Sequence, residues 1–173
     1  MDNTLPTPDQ FERVAQLLGR EPRGLRGIPV VDADGGPRVI RVASLVEDKP
    51  FPTLFWLVDP ALNYRIDQLE AAGGIASLQT RVDSDQGLQS SMAADHRAHI
   101  ELRASLMSAA ERRRVDTLGY GESLQKRGIG GIENPSRIRC LHTWYAAHLV
   151  VPNTIGRLVD ELMAVAEDSP GVD

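Results

Sequence analysis

The chain has 173 residues and a mass of 18.9 kDa, which predicts a single domain over residues 1–173, since two halves would be too small for good cores. Hydrophobic residues make up 42% and charged residues 25%, as in folded globular proteins rather than disordered or fibrous ones. The net charge of −5 and the single cysteine argue against a basic nucleic-acid-binding domain and against an intrachain disulfide.

No apolar run approaches the roughly 20 residues that a membrane-spanning helix needs, so no membrane partner is expected. The first ten residues are polar and acidic and do not resemble a signal peptide. We therefore expect a cytoplasmic protein.

The first predicted element is a helix that begins at Pro8. Thr7 is its N-cap, and Gln10 completes a capping box with Thr7. Gly19 is typical of a helix end, and a basic loop with several arginines follows at positions 20–27.

Three strands are predicted next. Apolar residues at 28–31 and 39–42 flank a turn at Asp34–Pro37 and indicate a β-hairpin. The apolar run at 53–58 indicates a buried third strand. Because helices fill the rest of the chain, the order predicts an α+β fold in which several helices pack on a small antiparallel sheet of about three strands.

The remaining predictions are mostly helical. Asp59 and Pro60 begin a helix that ends at Gly73. A long helix is predicted over about 86–114, followed by a glycine-rich, mobile loop at about 116–138. Helices at 141–150 and 154–166 complete an ordered core of about 7–168, and a frayed tail is expected at 169–173.

Cysteine and histidine residues cluster in two places. His96 and His99 share a face of the long helix, while Cys140, His142 and His148 lie at the start of the penultimate helix and along it. Cysteine and histidine are the ligands that zinc prefers, so Cys140, His142 and His148 are candidate zinc ligands. Two alternatives stay open: histidines packed in the core, and a metal-free catalytic arrangement of Cys140, His142, His148 and His99.

Arginines provide candidate anion-binding groups. Arg20 and Arg23 belong to the basic loop, Arg127 precedes a run of glycines, and Arg139 precedes Cys140. Planar guanidinium groups suit carboxylate and phosphate, and glycines allow an anion to approach backbone amides. The alternative is that these arginines pair with acidic residues or face water.

In addition, the chain resembles a bacterial family called domain of unknown function 501, over about residues 17–157. The resemblance rests on several segments: Arg20–Gly24, Pro50–Leu57, Pro60–Leu62, Leu69-Glu70 with Gly73, His99, Arg139–His142, Ala147–Leu149, and Asn153 with Gly156. It implies no established activity. Genes of that family often lie beside genes for enolase, a septum-formation protein and an exopolyphosphatase, which favours phosphate-rich ligands.

Two functions follow as hypotheses. In the first, the arginines, the cysteine and the histidines meet in one cleft, where the protein binds or processes a small anionic ligand, for example a phosphorylated one, with zinc as the candidate cofactor. In the second, the protein is a non-catalytic interaction or regulatory module of the cell envelope or of division, and its histidines are structural. The sequence leaves open whether the protein is an enzyme.

Overall fold

The computed structural model describes residues 5–168. The α-helices are α1 (Pro8–Leu18), α2 (Pro60–Ala71), α3 (Gly74–Asp83), α4 (Gln86–Leu106), α5 (Ala109–Thr117), α6 (Gly121–Lys126), α7 (Leu141–Val150) and α8 (Thr154–Asp168). The strands are β1 (Leu25–Val31), β2 (Pro37–Val42), β3 (Leu45–Val46), β4 (Lys49–Pro50) and β5 (Phe55–Leu57). The predicted tail at 169–173 lies outside the described residues.

The predicted α+β class is confirmed. Strands β1, β2 and β5 form an antiparallel sheet in the order β1-β2-β5, and β3 pairs with β4 as a separate hairpin. The pairing of β2 with β5 is regular, with Ile40 opposite Trp56. Strand β1 is an outer strand whose pairing with β2 shifts register at three places, and it contains Pro29, which has no backbone N–H to donate.

The two faces of the sheet belong to different apolar clusters. Phe55 and Leu57 point into the larger cluster, which the helices α2, α3, α4, α7 and α8 also line. Ile40 and Val42 belong to the smaller cluster, which α1 covers with the fully buried Val14. Phe11, also on α1, is 38% exposed.

Local capping signals are confirmed where they were predicted. Thr7 and Gln10 form a reciprocal capping box on α1, and Gly19 ends that helix in the left-handed conformation. The Asp59 carboxylate accepts hydrogen bonds from the first turn of α2. A separate helix, α3, begins directly after Gly73.

The prediction of one long helix over about 86–114 is wrong. Helix α4 ends at Leu106, and Met107 is extended, with ψ 132°. A new helix, α5, begins after Ser108, whose hydroxyl accepts from the Glu111 N–H while the Glu111 side chain accepts from the Ser108 N–H. This capping box begins the new helix.

The segment predicted as a loop at 116–138 contains ordered structure. Helix α6 and a 3-10 turn at Ile129–Gly131 lie within it, and Leu124, Ile129 and Ile138 are buried. A buried arginine of α4, Arg103, holds this segment by donating to the carbonyl oxygens of Leu124 and of Arg127 (2.6 Å).

Arg103 also donates to the carbonyl oxygen of Pro52 at 2.8 Å, so a single guanidinium joins α4 both to the end of α6 and to the segment before β5. The side chain is only 1% exposed, and this burial lowers the pKa of Arg103 to about 10. Three carbonyl dipoles replace the water that the buried cation has lost.

Within residues 5–168, no helix combines the length and apolarity required to span a bilayer.

Candidate functional site

The structure brings Cys140 and His142 together at the start of α7. Cys140 is the N-cap residue, with extended backbone, and its thiol caps no backbone group. Its Sγ lies 3.6 Å from Nδ1 of His142. The predicted proximity therefore arises because Cys140 precedes the first helical turn, which lets its side chain turn toward a residue two positions later.

A third group, Glu70 at the end of α2, joins this pair. Its Oε1 accepts a hydrogen bond from the Leu141 N–H at 2.6 Å and lies 3.3 Å from His142 Nδ1. A carboxylate at this position satisfies an otherwise unpaired amide and is favoured by the dipole of α7. Donor atoms of Glu70, Cys140 and His142 all lie within 4.8 Å of one another, and we call this group the Glu70–Cys140–His142 cluster.

The other ring nitrogen of His142 faces α2. Its Nε2 lies 3.4 Å from the carbonyl oxygen of Asn63 and 3.3 Å from Oδ1 of Asp67. The pKa of His142 is raised to about 9, chiefly by the contact with Cys140. Burial opposes this shift, while the charges of Cys140 and Glu70 and the carbonyl of Asn63 add to it. The ring therefore points Nδ1 into the cluster while acceptors hold Nε2 from behind.

A concave hollow adjoins His142. It has a volume of about 360 Å³ and lies between the outer edge of β5 and the start of α7. Its exposed lining is mostly apolar and includes Phe55, Trp56 and Leu57. The polar members are Thr53, Asn63, His142 and Thr143. Among the three residues of the cluster, His142 is the one that lines this hollow.

His148 lies outside the Glu70–Cys140–His142 cluster. Its Nδ1 accepts from the Asn153 N–H at 3.0 Å, and its Nε2 is 3.0 Å from Oδ2 of Asp160. The same carboxylate accepts from the Tyr145 hydroxyl at 2.8 Å, and the ring of Tyr145 stacks on that of His148. Both ring nitrogens are used to join α7 to α8, so the structure does not bring His148 to the predicted zinc ligands.

The close approach of Gly156 to His148 gives a stability prediction. A Cβ at position 156 would lie 2.1 Å from Cγ of His148, a ring that cannot turn aside without losing its hydrogen bonds. We expect Gly156→Ala to lower the free energy of unfolding by about 2–3 kcal/mol, as overpacking does, in urea denaturation. The control is Gly121→Ala, whose Cβ would meet only Asp116 Oδ1 at 3.3 Å; equal losses in both variants would contradict the explanation.

His99 and its neighbour His96 are buried in the interior, 7% and 4% exposed. The ring of His99 meets Phe55 edge-on and borders a cavity of about 100 Å³, and burial lowers its pKa to about 3. Nδ1 of His96 accepts from the Ile129 N–H at 2.9 Å, and burial lowers its pKa to about 4. Both rings are neutral at pH 7, and Nε2 has no hydrogen-bond partner among residues 5–168 in either case.

The run of glycines after Arg127 has a packing role. A Cβ at Gly128 would lie 1.8 Å from Nδ1 of His96, so only glycine fits there. The guanidinium of Arg127 pairs with Glu133 at 3.1 Å and donates to Ser123 and Gly131. Anion binding by Arg127 remains a prediction.

The structure does not gather the other arginines around Cys140 and His142. Arg20 and Arg23 border a second hollow, on the side of the sheet that α1 covers. Arg139 is exposed and, within the described part of the chain, makes no ion pair. The predicted residues therefore occupy several places rather than one cleft.

Sequence reasoning missed Glu70, Asp67 and Asn63 as site residues. Their spacing along α2 (i, i+4, i+7) places all three on one helix face, which is a signal that could have been used. The spacing shows a shared face but not its partner, because 71 positions separate Glu70 from the amide of Leu141 that it caps.

Comparison with known proteins identifies one relationship. The sequence profile of a family described as protein of unknown function (DUF501) matches residues 28–161, well over half of the chain. No curated protein and no solved structure matches the chain. The matched region contains Glu70, Cys140 and His142, whereas Arg20 and Arg23 precede it. The chain belongs to the DUF501 family.

Proposed function

We propose that the protein binds one zinc ion through Glu70, Cys140 and His142 and uses this ion to bind or process a small anionic ligand in the adjoining hollow. The observation that carries the proposal is the 4.8 Å grouping of a carboxylate oxygen, a thiol sulfur and an imidazole nitrogen. These are the three kinds of atom that bind zinc in proteins.

The orientation of His142 supports the same function. Zinc-binding histidines usually donate their second ring N–H to a carbonyl or carboxylate, which fixes the ring and its tautomer. Here Nε2 lies within 3.4 Å of the Asn63 carbonyl and the Asp67 carboxylate, and Nδ1 is on the side of Cys140 and Glu70. Zinc would replace the proton that Nδ1 otherwise holds.

The number of protein groups supports ligand binding rather than a purely structural metal. Structural zinc sites are usually closed by four protein ligands, whereas three protein ligands leave a position for water or substrate. The hollow of about 360 Å³ beside His142 provides space for that substrate. A zinc ion with an open position attracts anionic oxygen and activates bound water, which agrees with a small phosphate or carboxylate ligand.

Metal content tests the proposal directly. Protein purified without chelator, incubated with zinc and then desalted should hold about one zinc per chain by elemental analysis. We expect Cys140→Ser combined with His142→Ala to remove the zinc. Glu70→Gln should weaken binding by at least about tenfold, while its amide oxygen can still accept from the Leu141 N–H.

His148→Gln is the matched control, because this histidine lies outside the cluster and should leave zinc binding unchanged. Wild-type protein without zinc, or equal losses in the His148 variant and the double variant, would contradict the proposal. Thermal unfolding separates two roles of the metal: a largely unchanged Tm in the double variant favours a ligand-binding ion, and a large drop favours a structural one.

The interaction-module hypothesis stays a prediction. Exposed large apolar side chains occur on several elements, among them Phe11 on α1, Val31 on β1 and Tyr64 on α2. Isolated exposed apolar residues are ordinary on a protein surface, and no specific observation favours a partner for them.

A further inference from the structure

A second hollow lies on the opposite side of the sheet from the Glu70–Cys140–His142 cluster. It has a volume of about 230 Å³, and none of the three cluster residues lines it. Its floor is apolar, formed in part by Ile40 and Val42, and its wall carries the half-buried rings of Phe51 and Trp56. The two ring centroids are 5.5 Å apart. We call it the Arg20 hollow, after the arginine at its mouth.

The mouth of this hollow is positively charged although the whole chain carries −5. Arg20, Arg23 and Lys49 line it together with a single acidic residue, Glu47. The guanidinium of Arg20 lies over the Trp56 ring, 5.3 Å from its centroid. Lys49 makes no ion pair within residues 5–168. An aromatic wall with three cations above it is complementary to a flat ring that carries an anionic group.

Glu47 occupies the position that such an anion would take. Its Oε1 lies 3.0 Å from Nη1 of Arg23, and both side chains are more than 60% exposed. Glu47 and Asp48 both have positive φ, 50° and 61°, which places two non-glycine residues in the left-handed region of the turn between β3 and β4. A turn with this conformation usually carries Asn-Gly, so the backbone here presents the Glu47 carboxylate to Arg23 in spite of an unfavourable conformation.

We propose that the Arg20 hollow binds a small aromatic oxyanion, with its ring against Phe51 and Trp56 and its anionic group on Arg23 and Lys49. The ligand's anionic group displaces the Glu47 carboxylate from Arg23. Phosphate and carboxylate share the oxyanion chemistry that an arginine recognises. This inference is independent of the metal proposal, because the two hollows share only Trp56 among the residues that line them.

The test uses calorimetric titration of the intact chain with phenyl phosphate, which has both a ring and an oxyanion. We expect saturable binding in the millimolar range or tighter, much weaker binding of phenol or inorganic phosphate, and a comparison with benzoate that identifies the preferred oxyanion. Binding should also change the fluorescence of Trp56, since the second tryptophan, Trp144, is fully buried.

Two variants should change the affinity for phenyl phosphate in opposite directions. Arg23→Ala should weaken phenyl phosphate binding about tenfold or more, as loss of a charged hydrogen bond does. Glu47→Gln should strengthen binding about two- to fivefold, because it removes the competing carboxylate of an exposed ion pair.

The ion pair of Arg81 with Glu161 is the matched control, since its distance of 3.2 Å and exposure of 55% and 60% resemble those of Arg23 with Glu47. Arg81→Ala and Glu161→Gln should leave binding unchanged. Absence of saturable binding by both phenyl phosphate and benzoate, or equal effects of Arg23→Ala and Arg81→Ala, would overturn the site. Unchanged or weaker binding in Glu47→Gln would overturn the displacement of Glu47.

Discussion

The free energy of unfolding should fall steeply as the pH drops from about 6.5 to 4, because two buried histidines resist protonation in the folded protein. Burial lowers the pKa of His96 to about 4 and that of His99 to about 3, from an ordinary value of 6.5. Below pH 6.5 the unfolded chain binds protons at both rings while the folded chain does not. Each histidine therefore removes roughly 1.4 kcal/mol of stability per pH unit across this window.

Urea denaturation at a series of pH values measures the effect. The variant His99→Leu removes one of the two groups, keeps an apolar side chain beside Phe55, and should reduce the slope of stability against pH by roughly 1.4 kcal/mol per unit between pH 4 and 6. Above pH 7 both rings are neutral in either state, so the slope there should not change. A variant with the wild-type slope would show that His99 is not the titrating group.

Replacing Arg103 should have the largest effect of any single arginine substitution predicted for this chain. Arg103→Met retains an apolar stem but removes the guanidinium that donates to the carbonyl oxygens of Pro52, Leu124 and Arg127. Buried carbonyls that lose their donors cost about 1–3 kcal/mol each. We expect the free energy of unfolding to fall by about 3 kcal/mol or more, and the segment around α6 to lose protection from hydrogen exchange first.

Arg97→Met on the same helix is the control, because Arg97 is exposed and surface substitutions usually change stability by less than about 0.5 kcal/mol. Similar losses in the two variants would contradict the role given to Arg103. Arg103→Lys tests the geometry, since an ammonium cannot reproduce the planar arrangement of guanidinium donors, and it should recover only part of the loss.

Elements that are defined by neighbouring residues could be predicted from the sequence. The caps at Thr7 and Asp59 and the hairpin around Asp34–Pro37 depend on residues within four positions of one another, and all three are present. The break between α4 and α5 had a comparable signal in Ser108 and Glu111. It was missed because the apolar spacing continues through the break.

Helix α6 had no such local signal. It begins at a glycine and has no side-chain cap, and it is held by the burial of Leu124 and by Arg103, which lies 21 positions earlier. From sequence alone, an arginine on a helix is expected at the surface, and its burial can be explained only when the carbonyl groups around it are known. This tertiary contact explains why a sequence rich in glycine forms a helix within a predicted loop.

In the candidate site, too, the contact between sequence neighbours could be predicted, whereas the contact made by tertiary packing could not. Cys140 and His142 are two positions apart, and their proximity could be predicted once the helix start was placed. Glu70 replaces His148 in the group because α2 ends against the first turn of α7, a packing that no local pattern encodes. His148 instead contacts the carboxylate of Asp160 and accepts a hydrogen bond from the Asn153 N–H.

The irregular outer strand β1 offers a poor edge for the addition of a further strand. A neighbouring molecule that adds a strand to a sheet needs an unbroken row of amide and carbonyl groups. Along β1 that row is interrupted by Pro29, and the three register shifts twist the strand away from a flat edge. On the opposite edge, the Asn63 side chain donates to the carbonyl oxygen of Leu57 at 3.4 Å. Because one edge strand is irregular and a carbonyl of the other edge strand is already hydrogen-bonded, we expect the sheet to resist the addition of strands from other molecules.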